Sequence, residues 1–169
     1  TVFFRVAIDG LIVLDDLKGL FPTARFIIIY RRSLLDQFIS LKIAAKTNVW
    51  QWIDNGFKLP DSINIDLQEL DGFCREVRAF YEDVLASSWV RERSVIVNYE
   101  ELVSDPRGLF NRTVFPFLGV PVSKIWSVTK KQNTKRPSEI INQYEEIKKL
   151  IDEESLRQDY SFEQDTVMA

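Results

Sequence analysis

The stretch FIIIYRRSLLDQFISLKIAAKTNVW, Phe26 to Trp50, sets the architecture. It opens with five apolar residues, Phe26 to Tyr30, rich in isoleucine and short. Such a run predicts a strand buried on both faces, as in a parallel sheet. Two arginines end it, and Ser33 follows with Asp36 three residues on. That spacing predicts an N-cap at Ser33 and sets a carboxylate in the positive first turn of a helix. Strand, two arginines and helix make one unit.

Along that helix Ser33 and Ser40 are seven residues apart, which returns them to one face about 10 Å apart. Gln37 and Ala44 fall near the same line. Leu34, Phe38, Leu41 and Ala45 form one apolar stripe, and Leu35, Ile39 and Ile43 a second. A polar seam between apolar flanks predicts a helix packed on both sides, with one thin strip facing a crevice. In open α/β sheets that crevice lies beyond the carboxyl ends of the strands, where Arg31 and Arg32 stand. A planar guanidinium fork matches phosphate oxygens, and a serine adds a neutral hydrogen bond. The alternative is a surface ion pair for Arg32 and a merely small residue at Ser40.

Arg32 followed eight positions later by Ser40, after a strand and at the start of a helix, resembles the 3′-phosphate-binding segment of sulfotransferases. The longer run from Tyr30 to Trp50 is similar to the bacterial carbohydrate sulfotransferases, the group that includes nodulation-factor and trehalose sulfotransferases. Ser94 to Val120, SVIVNYEELVSDPRGLFNRTVFPFLGV, resembles the family's strand, its Tyr-Glu-Glu/Asp-Leu corner and the helix after it. Thr129 to Ile147, TKKQNTKRPSEIINQYEEI, resembles the basic loop before the last helix. The resemblance covers most of the chain with three motifs in the family's order.

It implies a P-loop nucleotide-hydrolase-like fold and 3′-phosphoadenosine-5′-phosphosulfate (PAPS) as sulfuryl donor. It further implies that Arg32 and Ser40 hold the 3′-phosphate and that Tyr99 lies near the adenine. The loop from Lys130 to Arg136, with Lys131 and Lys135 between, would close over the nucleotide. The family's first strand leads into a loop that cradles the 5′-phosphosulfate, and nothing here matches its Gly-Thr-Thr or Gly-Thr-Ser. The chain begins at Thr1 directly in an apolar run, so the expectation is that an N-terminal strand-loop-helix unit is absent from this sequence.

The chain has 169 residues, of which 46% are hydrophobic and 12% aromatic. This suits one globular domain with a sizeable core rather than two domains or a disordered chain. A formal charge of −3 argues against a nucleic-acid partner, which calls for a basic surplus. Any phosphate site must then be a local basic patch. Cys74 is the only cysteine, so no internal disulfide forms, and a reducing, cytoplasmic setting is the simpler inference. With no histidine, every Ser-His or Cys-His arrangement and every histidine metal site within this chain is excluded. Nothing in the sequence calls for a metal. No run reaches the length of a membrane span.

Taken in order, Val2 to Ile8 reads as a strand and Asp9-Gly10 as the turn after it, with Asp9 either a turn residue or a general base facing the crevice. Leu11 to Leu20 fits a short helix. Trp50, Trp52 and Phe57 alternate with amides and carboxylates, which suits either a sugar-binding wall or a cover over the core. Lys58 to Asp66 reads as a polar loop, a candidate acceptor lid. Asp66 to Val90 carries apolar residues at three-four spacing, predicting one long amphipathic helix. Ser94 to Val97 is the next strand. Asp105-Pro106 starts a helix that Gly119 and Pro121 end. Ser138 to Leu156 is the expected last helix, and 157–169 a loose tail.

The expected architecture is a three-layer αβα domain over residues 1–156 around a mainly parallel sheet. The expected activity is sulfuryl transfer from PAPS to a hydroxyl of a carbohydrate or glycolipid acceptor, with a homodimer left open. Two rivals remain on the sequence: a small-molecule kinase of the same fold class, and a non-catalytic nucleotide-binding or assembly module.

Overall fold

The computed structural model describes residues 14–50, 58–127 and 133–152. The expected strand over Val2 to Ile8, Asp9, Trp52, Phe57, Lys130, Lys131 and the 157–169 tail lie outside the described residues. The first described element, α1 (Leu14–Leu20), is followed by β1 (Phe26–Tyr30), α2 (Leu34–Thr47), α3 (Leu67–Ala86), α4 (Ser88–Arg91) and β2 (Ser94–Asn98). Strand β2 runs straight into α5 (Tyr99–Ser104). Then come α6 (Pro106–Leu109), a π turn over Phe110–Val114 and α7 (Phe115–Leu118). The last described elements are α8 (Pro137–Ile140) and α9 (Tyr144–Asp152).

Strands β1 and β2 pair in parallel, with Phe26 opposite Ser94 and Tyr30 opposite Asn98. Between them the chain passes through α2, α3 and α4, which is the helical crossover a parallel pair requires. Successive side chains of a strand point to opposite faces. Tyr30, with Ile28 and Ile96 beside it, joins the main cluster, whose buried members on α2 and α3 include Leu34, Ile39, Leu70 and Val77. Val97, flanked by Val95, joins a smaller cluster with Leu109 and Val114. The two-sided burial expected of β1 is corrected, because Ile27 and Ile29 remain 38% and 47% exposed. They alternate with the residues that face α2 and α3, so the unbroken apolar run has one well-covered face.

Ser33 caps α2 as its spacing predicts, its Oγ accepting from the Asp36 N–H at 3.1 Å. The helix closes at Asn48, whose left-handed φ of 55° is one that asparagine tolerates better than most residues. It buries Leu34, Phe38, Ile39, Ile43 and Ala44. Leu41 and Ala45 are exposed, so the two expected apolar flanks reduce to one band turned toward α3. Across that contact Phe38 meets Phe73 at 5.2 Å between ring centroids, and Lys42 pairs with Glu69.

The long helix expected over 66–90 breaks at Ser87. Asp66 starts α3 by accepting from the N–H groups of Gln68 and Glu69 at 2.8 and 3.0 Å. Ser87 then turns extended and caps α4. The break buries Trp89 and Val90. Trp89 donates its Nε1–H to the Pro22 carbonyl at 3.0 Å and stands edge-on to Phe26, so the crossover is locked beside the start of β1.

Asp105 caps α6 through the Gly108 N–H at 2.9 Å, with Pro106 in the first turn. The π turn lies just before Pro116, whose ring lacks an N–H and crowds the carbonyl one turn back. Widening the helix there relieves that conflict. Gly119, at φ 68°, ends α7.

The single last helix expected from Ser138 also breaks. Ile141 is extended and bridges to Ile63 in parallel. The Ile63 N–H donates to the Ile140 carbonyl at 2.8 Å, and the Asn142 N–H to the Ile63 carbonyl at 3.1 Å. Ile63, Ile65, Ile140 and Ile141 are all buried in the main cluster. The stretch from Lys58 to Asp66 is therefore anchored to the core by its isoleucines, which corrects its reading as a polar lid.

Candidate functional site

Because Tyr30 and Asn98 are partners in the parallel register, the chain leaves the two strands side by side at Arg31 and Tyr99. The Arg31 guanidinium lies over the Tyr99 ring, its central carbon 3.8 Å from the centroid. Arg31 Nη1 also donates to Ser40 Oγ at 3.4 Å. Ser40 in turn donates to the Asp36 carbonyl one helical turn back, at 2.9 Å. A residue from each strand end and one from α2 thus meet beyond the carboxyl edge of the sheet.

Arg32 is exposed. Its backbone N–H donates to Glu100 Oε2 at 3.3 Å, which ties the entry to α2 to the first turn of α5. Among the described residues its guanidinium has no hydrogen-bond or ion-pair partner. The N-terminus of α2 adds a partial positive charge on the same side. Two guanidinium groups stand at this corner beside the Glu100 carboxylate, one stacked on Tyr99 and the other without a side-chain partner among the described residues.

The groups behind this edge are polar and buried. Tyr81 donates its phenol proton to the Ile29 carbonyl at 2.7 Å. Burial pushes the Tyr81 phenol above its ordinary pKa, while the positive charge of Arg31 pulls it down. Asn98 is 6% exposed. Its Oδ1 caps α5 through the Glu101 N–H at 3.0 Å, and its Nδ2 has no hydrogen-bond partner among the described residues. Gln37, on the seam between Ser33 and Ser40, likewise has a buried Oε1 without a partner there.

Below Tyr99 the corner is braced by charge. Arg112 from the π turn donates to Glu101 at 2.9 Å and to Asp105 at 3.1 Å. The Gly108 N–H, followed by Arg112, holds the Asp105 carboxyl below its ordinary pKa. Bonds to Glu101 and then Asp105 raise Arg112 in return. These contacts tie α5, which carries Tyr99 at its first position, to the helical segment beneath it.

Other residues singled out in the sequence lie apart from this corner. Trp50 is 62% exposed. Lys135 donates to the carbonyls of Pro60 and Asp61, each at 3.3 Å, joining the segment before α8 to the stretch before α3. Arg136 is exposed, and its backbone N–H donates to Glu139 at 2.7 Å. Among the described residues no hydrogen bond, ion pair or ring contact links these three to Arg31, Ser40 or Tyr99. In the sequence both arginines stand at the crevice with chemistry that suits a phosphate, and the resemblance singles out Arg32; in the structure it is Arg31 that meets Ser40 and Tyr99. Arg31 and Tyr99 each follow directly on the last residue of a strand, and the parallel register brings them side by side.

A family model described as the sulfotransferase family matches residues 11–124, and the chain belongs to that family. The matched stretch contains Arg31, Arg32, Ser40 and Tyr99. No curated protein and no solved structure matches the chain. Among the described residues no helix is long and apolar enough to cross a membrane.

Proposed function

We infer that this protein transfers a sulfuryl group from PAPS to a hydroxyl of a carbohydrate or glycolipid. The observation that carries the reading is the meeting of Ser40 and Tyr99 with two arginines at the carboxyl ends of β1 and β2, in a chain of the sulfotransferase family. The donor set suits the nucleotide: a free guanidinium at Arg32, a hydroxyl at Ser40 and an aromatic ring at Tyr99 fit a phosphate beside a purine. Family membership favours sulfuryl over phosphoryl transfer, which sets the kinase reading aside. The two hydrophobic clusters fed by alternate strand residues support the three-layer, P-loop-like arrangement.

In this reading Arg32 and Ser40 hold the 3′-phosphate, and Tyr99 borders the adenine. Lys131, Lys135 and Arg136 lie in the basic segment that closes the site, with Trp50 and Trp52 toward the acceptor and Asp9 as candidate base. The donor, when bound, supplies a sulfuryl group activated by its 5′-phosphate leaving group. The chain's own task is to orient the nucleotide, to stabilise negative charge and to take the proton from the acceptor hydroxyl. The carbohydrate acceptor rests on the similarity of Tyr30 to Trp50 to the bacterial carbohydrate enzymes. A cytoplasmic setting accords with the lone, buried Cys74.

Calorimetric titration with adenosine 3′,5′-bisphosphate against adenosine 5′-monophosphate tests the donor. Binding that depends on the 3′-phosphate and is lost in Arg32→Ala is expected, and equal binding of both nucleotides overturns the reading. Incubation with sulfur-labelled PAPS and a panel of sugars and glycolipids tests the acceptor. Label that enters only other hydroxyl compounds overturns that part.

A further inference from the structure

Arg31 is half-buried at the carboxyl edge of the sheet, and among the described residues it has no carboxylate partner. Its contacts there are the Tyr99 ring at 3.8 Å and Ser40 Oγ at 3.4 Å. Leaving a guanidinium partly desolvated without an anion is costly, and a stack on one ring compensates only in part. The stack uses the face of the guanidinium plane, whereas its N–H donors lie in that plane and point along its edge. The bond to Ser40 is at the long limit for a hydrogen bond. Ser40 itself gives its proton to the Asp36 carbonyl, so both groups have donors that a stronger acceptor can recruit.

We propose that Arg31 is a nucleotide-binding residue of this site, a second guanidinium beside Arg32 that reads the 3′-phosphate, with the Tyr99 ring as the plate that fixes its plane. The proposal rests on the nucleotide reading above and deepens it. Arg31 touches two of the residues that reading gives to the nucleotide, Ser40 on the phosphate side and Tyr99 on the base side, so it links those two parts of the site. Arg32 next to it is exposed and unsupported, and brings charge without fixed geometry. Arg31 is held by the ring and brings geometry. Two guanidinium groups of this kind match a phosphate dianion better than one, and a planar fork fixed in orientation discriminates by shape as well as charge.

The test is titration of the full chain with adenosine 3′,5′-bisphosphate and with adenosine 5′-monophosphate. It compares wild type, Arg31→Gln, Arg31→Lys and Tyr99→Leu, with circular dichroism and thermal melting of each. The wild type is expected to prefer the bisphosphate. Arg31→Gln should lose about ten- to hundredfold in affinity for the bisphosphate, as befits one or two charge-assisted bonds, with little change toward the monophosphate. Arg31→Lys should recover part of the loss, because an ammonium keeps the charge but neither forks nor stacks. Tyr99→Leu should narrow the discrimination although Arg31 is intact. A wild-type preference that survives undiminished in Arg31→Gln overturns the proposal and leaves the nucleotide reading standing. So does an equal weakening toward both nucleotides that tracks a fall in Tm, the mark of a merely structural residue. Should Arg31→Gln not fold, an undiminished preference in Arg31→Lys overturns it instead. A wild type that does not discriminate overturns the reading and the proposal together.

Discussion

Arg31 and Tyr99, far apart in sequence, stack at 3.8 Å because each is the first residue beyond one of two paired parallel strands. Tyr30 opposite Asn98 brings the next two residues side by side. An arginine held this way also projects charge inward, toward Tyr81.

The inward effect is measurable. Burial raises the Tyr81 phenol above its ordinary 10.0, and Arg31 opposes that rise. A raised phenol pKa means that the folded state favours the neutral ring. Its contribution to stability is full below the unfolded value and lost as pH rises through the folded value. Removing the opposing charge in Arg31→Gln should move the Tyr81 transition to still higher pH, followed by NMR of ring-labelled tyrosine. A transition that stays put or moves down would show that the Arg31 charge does not reach the ring.

Asp105 supplies the acid-side counterpart. Its carboxyl lies below the ordinary 3.8, through the Gly108 N–H first and Arg112 second. A depressed carboxyl adds stability above the unfolded pKa and loses it as pH falls through the folded value. An asparagine side chain at this position would still cap the helix but carry no charge, so Asp105→Asn should melt lower than wild type near neutrality. The gap should close below about pH 4. Thermal melts across that range check it, and a gap independent of pH would assign the effect to shape alone.

The cap of α3 should contribute measurably to stability. Asp66 satisfies two orphan N–H groups, at 2.8 and 3.0 Å. Asp66→Ala should cost about 1 kcal/mol of unfolding free energy, within the range for lost N-caps. Urea denaturation measures this, and a change below a few tenths would mean that water replaces the cap without loss.

Ile63 decides whether the stretch before α3 is core or lid. At 4% exposure and bridged to Ile141, its truncation in Ile63→Ala should cost about 2–5 kcal/mol, the range for buried aliphatic side chains. A freely moving lid would lose less than about 0.5 kcal/mol. Hydrogen exchange gives an independent reading, since the Ile63 and Asn142 amides should be protected by their bonds to Ile140 and Ile63.

Much of this was legible without coordinates, and the legible parts share a cause. The Phe26 to Tyr30 strand, the Ser33 cap, the start of α6 at Asp105-Pro106 and the stop of α7 at Gly119 are each settled by a few neighbouring residues. The breaks at Ser87 and Ile141 were not legible. Their apolar spacing continues a helix on both sides, and the chain leaves it to bury Trp89 in one case and to pair with Ile63 in the other. Leu41 and Ala45 failed for the same reason: periodicity says which residues share a face, not whether that face is covered.

At the candidate site the division is equally clear. Linear order is enough to establish that arginines follow a strand, that a serine lies on the helix behind them and that a tyrosine begins the corner after the second strand. Family membership follows from the same order. Folding in three dimensions is what selects Arg31, rather than its neighbour, to meet Ser40 and Tyr99, and what lets Tyr81 feel its charge. These depend on strand register and on the direction of one side chain, and both are set by long-range pairing and packing that no local pattern encodes.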